Sequence, residues 1–210
     1  KFFSMSSLIS GRPTKVGVVE NLMVGSYSIT ITNPESSTVD SSNATANFRV
    51  LRQVNGTVTA DNVVYGNLTT ITLKTTTNGV YNVVIDDLVI EMEVNDGICT
   101  KQVMLNAGEY KTHTIGLGLV SLNCSEASFT VSKAVPLFKL NVSGHEFIYG
   151  DDVLINHTLT SNATGYIAYY LNNEKYANLS VNDSLNLSGL GVGSYILDVV
   201  YSGDSNYYSA

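Results

Sequence analysis

Along much of this chain apolar and polar side chains alternate one for one, the mark of extended strands with one buried face. From Tyr195 onward, Tyr195, Leu197, Val199 and Tyr201 fall on one side, and Ile196, Asp198 and Val200 on the other. Tyr27, Ile29 and Ile31 form a similar row, expected to point inward. Tyr110, Thr112 and Thr114 make a more polar row, which predicts looser packing there. Alternation also runs from Leu68 to Leu73 and from Val153 to Leu159. Between residues 53 and 134 the pattern predicts strands near 54–60, 68–76, 80–85, 88–94, 98–104, 109–115 and 127–133. No segment keeps apolar residues at three-and-four spacing over three turns, so the predicted fold is all-β.

One short phrase recurs three times: Leu22-x-x-Gly25-x-Tyr27, Leu105-x-x-Gly108-x-Tyr110 and Leu190-x-x-Gly193-x-Tyr195, with tyrosines 83 and then 85 residues apart. That interval suits one immunoglobulin-sized sandwich. The phrase reads as a tyrosine corner, in which Gly takes the bend into the sixth strand, Leu anchors the preceding turn and the phenol bonds backward onto the corner's backbone. Other matches keep the period. Val64-Tyr65-Gly66-Asn67 and Ile148-Tyr149-Gly150-Asp151 lie 84 residues apart. Asn47-Phe48-Arg49-Val50 and Ser128-Phe129-Thr130-Val131 follow their corners as closing strands. Repetition at this period predicts tandem immunoglobulin-like β-sandwiches with Greek-key connections. The boundaries fall near Arg52-Gln53 and Ala134-Val135-Pro136, so that 1–52 is the later part of one domain, 53–134 is a complete domain and 135–210 lacks its last strand. On this count the first domain begins about thirty residues before Lys1, and the closing strand of the third begins a few residues beyond Ala210.

Composition narrows the setting. Ser and Thr number 43 and Asn 21 of 210 residues, with only 14% charged, which suits half-buried strands joined by Asn, Asp and Gly turns. A net charge of -7 without a basic stripe argues against a nucleic-acid surface, which needs clustered Lys and Arg. No apolar run is long enough to cross a bilayer as a helix.

Val200-Tyr201-Ser202-Gly203-Asp204-Ser205-Asn206-Tyr207, following Gly193-Ser194-Tyr195, resembles the Tyr-x-Gly-Asp-x-Asn-Tyr segment of bacterial Ig-like repeats of the group 3 kind. The likeness is clearest over 135–210, extends over 53–134 and covers part of 1–52. Such repeats belong to adhesin-like surface proteins of methanogenic archaea and bacteria. The resemblance implies an extracellular, surface-displayed chain. Antibody-type domains differ: this chain has no tryptophan, and Ile29, Thr112 and Leu197 stand where their corner cysteine would be.

Candidates for chemistry are few. His113, His145 and His157 have no metal-ligand spacing. His113 is expected on an outward row and His157 at the core or rim, and no serine, cysteine or carboxylate stands in a catalytic phrase, so no enzyme is predicted. Asp151-Asp152 and Asp204-x-Asn206 offer oxygen ligands for calcium, but the same residues are ordinary turn chemistry, with Asp bonding its own downstream backbone. No cofactor is otherwise implied. Nine of the 13 tyrosines lie beyond residue 134, including Tyr166, Tyr169, Tyr170, Tyr176, Tyr207 and Tyr208. They suit either core and strand positions or a surface for sugars.

Cys99, at the start of the fifth strand, and Cys124, in the loop after the sixth, both fall at the end of the sandwich opposite the corner. A disulfide between them is expected, with two separate thiols as the other outcome. Asn-x-Ser/Thr occurs at Asn43, Asn55, Asn67, Asn123, Asn141, Asn156, Asn162, Asn178, Asn182 and Asn186, against about four expected by chance from this composition. N-linked glycans are therefore expected on several, with Asn156 and Asn186 facing outward by strand parity. The favoured function is an adhesive stalk whose partner is a host or neighbouring-cell surface protein or glycan. The alternatives are a glycan- or protein-binding module and a spacer of an extracellular hydrolase.

Overall fold

The computed structural model describes residues 19–210. Strand β1 (Gly25–Asn33) pairs with β2 (Ser42–Val50) as an antiparallel ribbon in which Tyr27 stands opposite Phe48. Nine further strands follow before residue 133: β3 (Arg52–Ala60), β4 (Val63–Val64), β5 (Thr69–Thr75), β6 (Gly79–Ile85), β7 (Leu88–Val94), β8 (Ile98–Val103), β9 (Gly108–Gly116), β10 (Val120–Ser125) and β11 (Ser128–Ser132). They make one sheet of order β10-β3-β5-β8 and another of order β4-β11-β9-β6-β7. Between Ala60 and Val63 the chain passes from the first sheet to the second, where β4 runs parallel to β11. This order is that of an immunoglobulin-like sandwich.

The remaining strands are β12 (Phe138–Val142), β13 (Val153–Leu159), β14 (Tyr166–Leu171), β15 (Glu174–Ser180), β16 (Leu185–Leu187) and β17 (Leu197–Tyr201). They form sheets of order β12-β13-β16 and β15-β14-β17. Val153, Ile155, Leu185 and Leu187 from the first share one core with Ile167, Tyr169 and Tyr201 from the second. In β5, Thr69, Ile71, Leu73 and Thr75 are buried alternately, and in β6 so are Tyr81, Val83 and Ile85. Each large apolar side chain so removed from water contributes about 1.5–3 kcal/mol.

Contact density divides the chain into two compact units. One takes residues 19–58, with Leu73–Cys99 and His113–Glu126. The other takes Thr59–Thr72, Thr100–Thr112 and Ala127–Ala210. Ala107, Ala134, Thr164 and the turn after β17 all lie inside the second unit.

Three expectations are corrected. The Cys99–Cys124 disulfide does not form, and both thiols are free. Cys124 lies on β10, a strand rather than a loop, and pairs in register with Gly56 of β3. Cys99 lies on β8, so β3 and β5 stand between the two cysteines in one sheet. Three ladder spacings of about 4.8 Å place them roughly 14 Å apart, twice the reach of a disulfide. Second, Ile29 and Ile31 are exposed rather than inward-packed, because the β1–β2 ribbon has no second sheet against it among the described residues. Third, Asn156 is half-buried, its strand lying between two neighbours.

Candidate functional site

Each repeated Leu-x-x-Gly-x-Tyr phrase brings its phenol back onto the chain four residues upstream. Tyr27 Oη donates to Met23 O at 2.7 Å, Tyr110 to Asn106 O at 2.9 Å and Tyr195 to Gly191 O at 3.1 Å. The glycine lets the ring fold over the bend: a Cβ at Gly25 or Gly108 would touch the ring at 3.4 Å. A fourth such bond, Tyr81 Oη to Thr77 O at 2.8 Å, was missed by the sequence reading. Gly79-Val80-Tyr81 carries the same Gly-x-Tyr spacing but lacks the leucine. Tyr27 stacks on Phe48, and Tyr110 on Phe129, at 5.5 and 5.4 Å between ring centres.

The most elaborate polar arrangement is the turn after β17. Gly203 takes φ +74, and a Cβ there would lie 2.8 Å from Ser209 N, so only glycine fits. Next to it, Asp204 Oδ1 accepts from the backbone N–H of Asn206 and of Tyr207, each at 2.8 Å. Its Oδ2 accepts from Thr164 N at 2.7 Å and Thr164 Oγ1 at 3.0 Å. Partial burial raises the Asp204 carboxyl, but these four donors outweigh it and bring the pKa down to about 2. Tyr201, fully buried, donates to Thr164 O at 2.8 Å. Its burial, followed by the neighbouring Asp204 and Tyr207, pushes its phenol up to about 12.

That turn reaches back to earlier parts of the chain. Ala134 N donates to Asn206 O and Tyr208 N to Ala134 O, at 2.9 and 3.0 Å, so the connecting residue is held on both sides. Asn206 Oδ1 accepts from Ala107 N at 2.9 Å, beside the Asn106 carbonyl that Tyr110 occupies. The Tyr207 ring meets Tyr65 edge-on at 5.4 Å. Tyr207 Oη donates to Asn162 Oδ1 at 2.6 Å, and Asn162 Nδ2 donates to Tyr65 Oη at 3.1 Å. Lys133 Nζ adds a bond to Asp204 O. In the sequence Asp204-x-Asn206 reads as ordinary turn chemistry, and nothing local signals partners some 40 to 100 positions away.

The other candidates are not brought together. His113 is exposed, 3.7 Å from Glu126. His157 pairs with Val181 O at 2.7 Å and lies beside Phe138. Asp151 closes its own turn with Ile148 N, and Asp152 accepts from Asn186 Nδ2. Among the described residues no three His, Cys, Asp or Glu side chains are grouped to hold a metal. Burial raises the Cys124 thiol, against the lowering effect of hydrogen bonds from Thr114 and Val58, so it is not an activated nucleophile. Tyr169 and Tyr207 are core residues, Tyr170 is half-buried, and Tyr166, Tyr176 and Tyr208 are exposed. Of the ten sequon asparagines nine are exposed and Asn156 is half-buried. No helix among the described residues is long and apolar enough to cross a membrane.

No protein-family model matches the chain, and no curated protein matches it. Among solved structures it is similar to the fibronectin(III)-like modules of Clostridium thermocellum CbhA, at 12% identity and TM-score 0.33, over 74% of this chain and 88% of that one. It is similar to the chicken CNTN1 FN1-FN3 domains at 13% identity and TM-score 0.25, over 86% and 71% of the two chains. It also matches the N-terminal eight Ig domains of Down Syndrome Cell Adhesion Molecule isoform 1.30.30 at 16% identity and TM-score 0.28, over 89% of this chain and 30% of that chain. These likenesses concern the fold alone.

Proposed function

We propose that this chain is part of an extracellular stalk of tandem immunoglobulin-like domains in an adhesin-like surface protein. The domains in this reading are 1–52, 53–134 and 135–210, as the corner phrases mark them. One observation carries it: Ala134, the connecting residue, is paired on both sides with Asn206 and Tyr208, while Asn206 also takes the Ala107 N–H. A connection with no free linker and with side chains committed across it resists bending, which is what a projecting stalk requires and what a flexible tether lacks. The acidic balance and low charge content suit a surface exposed outside the cell, and exposed sequons suit N-linked glycans there. The partner at the distal end is a surface protein or glycan of a host or neighbouring cell.

The complete reading frame tests this directly. Many further repeats with a wall or membrane anchor are the expected result, and a catalytic domain beside these modules would replace the stalk with a hydrolase spacer. Antibodies against the chain should label intact cells of the native source, and labelling only after lysis would end the surface reading.

A further inference from the structure

The three corners differ in what lies on them. The corner at Asn106-Ala107 is covered by Asn206, and Tyr65 beside it is packed against Tyr207. Shifted by the 83 and 85 residues that separate the corner tyrosines, its counterparts are Met23-Val24 and Gly191-Val192. Met23 is 80% exposed and Val192 91% exposed. The counterpart of Tyr65 is Tyr149, which is 76% exposed, and next to it Ile148 is 78% exposed.

The turn and the corner of the open surface are each closed as in the occupied one. Gly66 and Gly150 take φ +94 and +97, and each turn closes onto its first residue, Asn67 N to Val64 O at 3.1 Å and Asp151 N to Ile148 O at 2.9 Å. The Tyr195 phenol braces Gly191 as the Tyr110 phenol braces Asn106. The turn and the corner are each formed in advance, which lowers the entropy cost of docking. The Met23-Val24 corner supplies an internal control. The turn that follows β9 is Leu117-Gly118-Leu119, without Asp, Asn or Tyr, and it offers only backbone carbonyls, Gly118 O to Arg49 and Leu119 O to Arg52.

We infer that Ile148, Tyr149 and the Val192 N–H form an acceptor for a second Gly-Asp-x-Asn-Tyr turn, carried by a further immunoglobulin-like repeat. The incoming Asn takes the Val192 N–H through its side-chain oxygen, and the incoming Tyr sets its ring edge on Tyr149. A second copy of this chain is not the occupant, because its own Asn206 and Tyr207 are already spent on Ala107 and Tyr65. Gly191 stands where Asn106 does, so the Asn206 Nδ2 to Asn106 Oδ1 contact has no counterpart. This inference rests on the stalk reading and names what the open end of the third repeat binds.

The test extends the chain beyond Ala210 with a second copy of Glu126–Ala210, which puts the copied Phe129 as far after Tyr195 as Phe129 is after Tyr110. The chain has no tryptophan, so Tyr149→Trp is a single reporter. Its emission should shift to the blue and its iodide quenching should fall in the extended chain, and both should return when the Asn and Tyr of the added turn are changed to Ala. Equal quenching with and without the extension would overturn the acceptor. Tyr65→Trp in the unextended chain separates the two claims. If it is shielded while Tyr149→Trp stays open in the extended chain, the acceptor alone fails; if it too is fully quenched, the junction behind the stalk reading fails. Where tryptophan disturbs folding, amide exchange at Val192 decides: it should slow by roughly tenfold or more on extension, and an unchanged rate overturns the proposal.

Discussion

The turn after β9 and the turn after β17 occupy one position in the fold and are built from opposite materials. Both accept a backbone N–H from a connecting residue, Leu119 O from Arg52 at 2.8 Å and Asn206 O from Ala134 at 2.9 Å. After β9 the chain turns with backbone alone, Val120 N to Leu117 O, and continues into β10, which pairs in parallel with β3. Gly116 stands at the point where β17 has Tyr201, and a Cβ there would collide with Val120 O. After β17 a carboxylate gathers four donors, and the side chains it fixes reach outward. The first turn leads into one more strand, and the second holds Ala107, Ala134 and Thr164.

The largest effect should come from removing that carboxylate. Asp204→Ala leaves two backbone N–H groups of its own turn and the Thr164 pair without their acceptor, and should lower stability by about 2–3 kcal/mol in denaturant unfolding. Gly118→Ala in the other turn faces only an unfavourable φ of +64 with open space around it, and should cost about 1 kcal/mol. If the two variants lose equal stability, the turns do not differ in the way argued.

Titration separates them next. The Asp204 carboxyl sits at about 2, below its ordinary 3.8, so its contribution is present above pH 4 and is lost as pH falls through 2. Tyr201 has its phenol raised to about 12 from 10; the folded state favours the neutral form, and that contribution is present below pH 10 and lost as pH rises through 12. Unfolding followed against pH should therefore steepen at both ends, with Asp204→Asn removing the acid component and Tyr201→Phe the alkaline one. A profile unchanged by either substitution would sink the assignment.

How much of this was legible follows from which interactions are local. Strand alternation gave the elements of residues 52–132 to within two residues, because Thr69, Ile71, Leu73 and Thr75 point to a single side. It missed β4, only two residues long, and β10, since Val120–Ser125 is short and its partner β3 is some 68 residues earlier, beyond the reach of any periodic signal. The cysteines were placed at one level of the sandwich, where Cys124 pairs beside Gly56, Asn55 O takes Thr76 N, and Gly97 O takes Thr75 N. Their strands, however, are opposite edges of one sheet, and periodicity carries no information about which edge a strand occupies. Asp204 bonding Asn206 and Tyr207 is visible in the spelling of the turn, while its grip on Thr164 and the reach of Asn206 to Ala107 depend on the fold.

Smaller effects should divide the two connections. Asn206→Ala removes the acceptor for Ala107 N–H and should cost about 1–2 kcal/mol, with faster amide exchange at Ala107. Arg49→Ala removes a single exposed bond of 3.3 Å to Gly118 O and should stay within about 0.5 kcal/mol. Tyr110→Phe belongs between them at about 1 kcal/mol, since its half-buried phenol braces the corner on which Asn206 rests. A loss for Arg49→Ala as large as that for Asn206→Ala would make the connections equivalent.

The sequons beside the two turns should differ as well, with the least effect on stability and a direct chemical readout. In Asn162-Ala163-Thr164 the amide is shared between Tyr207 and Tyr65, and the Thr hydroxyl and N–H are both committed to Asp204. A glycan on that nitrogen would displace the Tyr65 contact, and a folded chain presents neither the amide nor the hydroxyl free to a transferase. Asn123 and Asn55 lie on the paired strands β10 and β3, exposed, with Nδ2 and Oδ1 3.2 Å apart. Two glycans cannot leave from side chains that close, so each molecule should carry at most one of the pair. Under the proposed N-glycosylation, glycopeptide mapping of protein from the native source should find Asn162 bare and Asn55 and Asn123 never modified together. A glycan on Asn162 in folded protein would show that the clamp around Tyr65 is open in solution, and the contrast between the two turns would lose its functional meaning.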